Sequence, residues 1–147
     1  MFRKILVPMD GSEPSKNALL AAMESASKWG AELLIVSVIP SVSALLFGGE
    51  EDIMVNTDEH EKQLERVHMI VLDDAKEMVK KDHPELKVSV SLLKGRVPSA
   101  ILDVSYSNDI DLIVMGSRGL MGLSGWLLGS TSRHIVEHYT KPILIVK

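Results

Sequence analysis

Asp111-Leu112-Ile113-Val114-Met115-Gly116-Ser117-Arg118-Gly119 is the stretch on which the reading of the chain turns. Leu112 to Met115 is a four-residue apolar run, too short for a helix. It reads as a strand, the fourth along the chain. It stops directly at Gly116, and Gly119 follows three residues later. In doubly wound sheets, ligands sit beyond the carboxyl ends of strands, and glycines there let backbone N–H groups approach an anion.

Working outward, the same alternation recurs. Ile5-Leu6-Val7 is a short apolar run closed by the turn Pro8-Met9-Asp10-Gly11-Ser12. Residues 14 to 29 read as a helix, with Ser12 as a cap, Pro14 in the first turn and Gly30 as a stop. Its predicted stripe is Leu19, Ala22, Met23, Ala26 and Trp29. Leu33 to Ile39 reads as a strand and 40 to 56 as an irregular segment. A long helix is predicted from about Asp58 to Lys81, with a stripe of Leu64, Val67, Val71, Ala75 and Met78. Val88 to Leu93 alternates as a strand wet on one side. A helix over 98 to 107, the strand at 112, a helix from Ser130 to His138 and a strand from Pro142 to Val146 complete the order. Strand and helix alternate four times before a last strand, which implies a five-stranded, doubly wound parallel sheet with helices on both faces. Composition does not shift along the chain, so residues 1–147 read as one domain.

Composition narrows the function. There is no cysteine, which removes disulfides, thiolate metal centres and thiol nucleophiles, and fits a cytoplasmic setting. The first apolar run ends at Pro8, too early for a signal peptide, and no run approaches a membrane span. A net charge of −4 argues against nonspecific nucleic-acid binding. Yet the stretch from Leu112 to Val136 contains no Asp or Glu and carries Arg118 and Arg133. Within it, Gly116 and Gly119 are followed by Gly129-Ser130-Thr131 at the start of a predicted helix. A helix N-terminus offers unpaired N–H donors and partial positive charge, and so suits a phosphate. The bland alternative is a glycine loop with capping hydroxyls. The lysine-bearing loop of common ATPases is missing, as is a G-x-G-x-x-G after the first strand.

These stretches together resemble the universal stress protein family: Ile5 to Ser12, Asp111 to Gly119, Leu128-Gly129-Ser130-Thr131-Ser132, and Lys141 to Val146. The resemblance covers essentially the whole chain in order. The Gly116-x-x-Gly119 pair, a nine-residue spacer and Gly129-Ser130 resemble its ATP-binding branch. The resemblance implies sheet order 3-2-1-4-5, ATP between the first and fourth strands, with or without a Mg or Mn ion near Asp10, and a homodimer. Carried over by position, Asp10 would meet the ribose, and Val38 would contact adenine through its backbone. Pro8 and Met115 would line the base and ribose pocket. Gly116, Arg118, Gly119, Gly129, Ser130 and Thr131 would surround the phosphates. The expected function is an ATP-binding regulatory module that holds or senses the nucleotide and works with an unidentified protein partner. The alternatives are a slow metal-dependent ATPase and a nucleotide-free dimeric scaffold. No residue is assigned as catalytic, Asp10 and His134 being the only nearby candidates for a general base. Dimerisation has its own motive, since Ile143 to Val146 would form an apolar sheet edge that invites a second copy.

Other signals are weaker. His134-x-x-Glu137-His138 matches a zinc-protease pattern, but only nine residues follow, without His, Asp or Glu. A phospho-acceptor reading of Asp10 lacks the accompanying acid, since the third strand ends Leu93-Lys94-Gly95. Residues 43 to 53 read as a loop packed on the domain, and Trp126 in the spacer as packing.

Overall fold

The computed structural model describes residues 1–41, 57–118 and 128–147. The expectations for the segment 43–53, for Gly119 and for Trp126 lie outside the described residues. The elements run β1 (Lys4–Pro8), α1 (Glu13–Trp29), β2 (Glu32–Pro40), α2 (Thr57–Asp82), β3 (Val88–Gly95), α3 (Val97–Ser107), β4 (Leu112–Gly116), α4 (Ser130–His138) and β5 (Ile143–Val146). All four strand pairings are parallel, and the order is β3-β2-β1-β4-β5, as expected.

The apolar runs become the central strands. Ile5, Leu6 and Val7 of β1 and Leu112 to Met115 of β4 are buried. One face of the sheet packs Ile5, Val7, Leu33 and Ile35 against α1 and α2. The other packs Leu6, Val36, Val38, Ile113 and Met115 against Ile101 of α3 and Ile135 of α4. At the amino end of the sheet, the Asp111 carboxylate accepts from the backbone N–H groups of Arg3 (2.9 Å) and Lys4 (3.2 Å). It thereby ties β1 to the entrance of β4.

Helix α1 starts and stops as its residues dictate. Ser12 Oγ accepts from Ser15 N at 3.3 Å, Pro14 sits in the first turn, and Gly30 at φ +67° ends it. Trp29 departs from its predicted stripe: it is 40% exposed. The inward face is spent at Ala26, and Trp29, at the helix end, meets Phe2 edge-on instead. Val67 of α2 also departs, at 58% exposed. Helix α2 packs mainly on β2 and β3, and its buried line passes through Leu72, Ala75 and Val79. At the level of Val67 the inward position is taken by His68, which bonds to Ser37 of β2.

Candidate functional site

The winding reverses between β1 and β4, so the crevice beyond their carboxyl ends is where this sheet type receives ligands. Three segments converge there. Pro8-Met9-Asp10-Gly11-Ser12 leaves β1, Gly116-Ser117-Arg118 leaves β4, and Gly129-Ser130-Thr131 opens α4. Val38 and Met115 are buried on the α3/α4 face, and Pro8 ends β1 half-buried.

The two glycine bends are physically joined. Gly129 N–H donates to the Ser117 carbonyl at 2.8 Å. Ser132 Oγ, buried, donates to the same carbonyl at 2.9 Å and lies 3.1 Å from the Gly129 carbonyl. Ser117 N–H in turn donates to the Val146 carbonyl at 2.8 Å, anchoring the bend to β5. This latch of Ser117, Gly129 and Ser132 was not assigned from sequence, because its atoms are mostly backbone. A Cβ on Gly129 would lie 3.3 Å from the Ser117 carbonyl oxygen and 3.4 Å from Arg118 Cα. The N-cap residue of α4 is this glycine, so no side chain caps the helix. The first-turn N–H groups of α4 are thus left to water or to a ligand. Ser130 is exposed and Thr131 half-exposed beside them.

Gly116 plays a different part. A Cβ there would lie 2.8 Å from Pro14 Cβ and 2.9 Å from the Pro14 carbonyl carbon. Its bare side faces the first turn of α1, so this glycine lets α1 pack on the end of β4.

On the β1 side, Asp10 Oδ1 accepts from Ser12 N–H at 2.9 Å, which holds the carboxylate over the start of α1. Behind it, Ser37 Oγ donates to the Met9 carbonyl at 2.8 Å and lies 2.6 Å from His68 Nδ1. Burial pushes the His68 imidazole below its ordinary 6.5, against the opposing pull of the Asp10 carboxylate. Sequence reasoning missed His68 because its partner lies 31 residues away on a strand. A cavity of about 180 Å³ on the α1/α2 side is lined by Met9, Lys16, Leu19, Val71 and Met78 among others. Leu19 and Val71 pack in the cluster on that side, across the sheet from Val38 and Met115.

Residues 1–147 match the universal stress protein family. The chain belongs to that family. Among universal stress proteins, YxiE of Bacillus subtilis is 32% identical over 154 aligned residues, with all of both chains covered. A universal stress protein of Thermus aquaticus is 34% identical over 147 residues, again with both chains covered in full. Among solved structures, universal stress protein UspA from Lactobacillus plantarum superposes with a TM-score of 0.82 at 20% identity, covering 99% of this chain and 98% of that one. A universal stress protein in complex with cAMP gives 0.66 at 20% identity, covering 99% and 96%. One from Archaeoglobus fulgidus in complex with dAMP gives 0.65 at 19%, covering 100% and 98%.

In this universal stress protein, His134 and His138 stack at 4.0 Å between centroids, and His138 Nδ1 lies 2.8 Å from the His134 carbonyl. Among the described residues no group of three or more His, Asp or Glu is placed to hold a metal ion. Among the same residues no helix is long and apolar enough to cross a membrane.

Proposed function

We propose that this chain is an adenine-nucleotide-binding module that holds ATP between β1 and β4. The observation that carries the reading is the latch. It joins two glycine bends beneath an α4 N-terminus that no side chain caps, at the point where the sheet reverses. With the Gly129 N–H spent in the latch, the N–H groups of the first turn of α4 and the helix dipole make such an end a natural seat for phosphate. The neighbours solved with cAMP and dAMP lend support, because both ligands are adenine nucleotides.

In this reading Asp10 accepts from the ribose hydroxyls, and Val38 meets adenine through its backbone. Pro8 and Met115 flank base and sugar. Gly116, Arg118, Gly119, Gly129, Ser130 and Thr131 surround the phosphates. A Mg or Mn ion would ride on the phosphates near Asp10, since that carboxylate is the one acid the reading brings to the site. In this reading the module holds its ligand, with at most weak hydrolysis. It acts in the cytoplasm, as a homodimer paired through Ile143–Val146, and signals to a protein partner by changing the surface around the bends.

Isothermal titration of ATP into nucleotide-free protein tests this. Saturable heat is expected, together with a loss of binding in Gly129→Val. The backbone angles of Gly129, φ −62° and ψ 162°, suit any residue, but an added Cβ meets the Ser117 carbonyl oxygen at 3.3 Å, so a thermal melt of the variant checks its folding alongside. Silence at millimolar ATP would remove the reading.

A further inference from the structure

The hydrogen bonds around Ser37 fix the proton on a histidine. A serine hydroxyl has one hydrogen. The Met9 carbonyl can only accept, so at 2.8 Å the Ser37 hydrogen is committed to it. The 2.6 Å contact to His68 Nδ1 must then run the other way, with Nδ1–H donating to the Ser37 oxygen. His68 is therefore the Nδ1–H tautomer when neutral, and any further proton is taken up at Nε2. The bonded chain ends at the carbonyl of Met9, the residue immediately before Asp10, just past the last β1–β2 pair, Pro8 with Val36.

We propose that His68 is a positioning residue for Asp10, acting from the α2 face through Ser37 and Met9 and carrying a proton whose gain weakens ligand capture at Asp10. The proposal rests on the nucleotide reading above. Helix α2 packs on β2 and β3, and among the described residues Glu61 and Glu65 of α2 both act on Lys94 of β3. Asp10, at the end of β1, is the carboxylate whose field reaches the imidazole. Glu65, one turn earlier on α2, is paired with Lys94 of β3 at 2.5 Å. β2 presents the neutral Ser37. Protonation at Nε2 keeps the bond to Ser37 and adds a positive charge whose field reaches the Asp10 carboxylate. That field weakens the carboxylate's acceptance from ribose hydroxyls.

The test measures ATP affinity for the wild type, His68→Asn and His68→Leu between about pH 8 and 5, the range in which histidine changes charge. Asparagine places an N–H where Nδ1–H stood and cannot titrate. At the alkaline end His68→Asn should bind as the wild type does, and His68→Leu about tenfold more weakly, the worth of one hydrogen bond. Toward acid the wild type should lose affinity more steeply than His68→Asn. The γ-phosphate takes up its own proton near about pH 6 in every chain, so it cancels in the comparison. Identical pH profiles for wild type and His68→Asn, or unweakened binding by His68→Leu, would overturn the proposal. Nitrogen-15 spectra of the wild type give a readout that needs neither nucleotide nor variant. They should show the Nδ1–H tautomer, and an Asp10 amide that shifts with the imidazole titration. An Nε2–H tautomer or an unmoved Asp10 amide refutes the proposal. If no chain binds ATP, the nucleotide reading fails and these spectra decide the positioning by themselves.

Discussion

Gly116 has no room for a side chain. The added Cβ of Gly116→Ala would press on Pro14 Cβ at 2.8 Å and on backbone atoms of Pro14 and Ser15 at 2.9 and 3.0 Å. Backbone cannot swing aside as a flexible side chain can, so α1 must shift. The expected cost is about 1–3 kcal/mol, read from the urea midpoint. A midpoint equal to that of the wild type would mean that α1 does not rest on β4 as described. Tyr139 gives a second residue-level outcome. Its hydroxyl donates to the Ile110 carbonyl at 2.7 Å. Burial, with smaller contributions from Tyr106 and Asp111, pushes the phenol up from 10 to about 12. A raised folded pKa means that the folded state holds its proton longer than the unfolded chain. That stability is complete below pH 10 and is lost as pH rises toward 12. Tyr139→Phe should cost about 1 kcal/mol at neutral pH and flatten the alkaline fall in melting temperature. An unchanged alkaline slope would contradict the assignment.

At the scale of elements, capping and stripe width decide what holds. Ser12 caps α1 through Ser15 N, and Ser12→Ala should lower stability by about 1 kcal/mol. Thermal denaturation would show it, and an unmoved melting temperature would remove the cap from the account. The limits of α1 and the start of α4 were legible because Ser12, Gly30 and Gly129 are local signals at those ends. The strands β1 and β4 were legible because Ile5–Val7 and Leu112–Met115 are unbroken apolar runs. The inward face of α2 was less so. Apolar residues occur nearly all round its middle, from Val67 to Leu72, and only packing on β2 and β3 selects Leu72, Ala75 and Val79 over Val67 and Ile70. Trp29 failed for a related reason, since periodicity carries no information about where the sheet beneath a helix ends. The glycine bends could be read from spacing. Their latch could not, because it consists of carbonyls and one serine hydroxyl whose meeting requires the fold.

For the molecule as a whole, sheet order sets out two surfaces. The reversal between β1 and β4 marks the crevice proposed for the nucleotide, and β5 forms an edge beyond β4. That edge strand carries Leu144, 41% exposed. Within the dimer reading, Leu144→Lys should shift sedimentation from dimer to monomer and leave the melting of the monomer fold cooperative. A wild-type chain that sediments as a monomer would discard that reading without touching the nucleotide site. The proposed nucleotide site is open to one direct measurement. Amide spectra of the labelled chain, titrated with ATP, should show Ser117, Arg118, Gly129, Ser130 and Thr131 shifting together and saturating, with Lys28 and Gly30 at the far end of α1 still. Shifts that miss both bends, or none at millimolar ATP, would contradict the account.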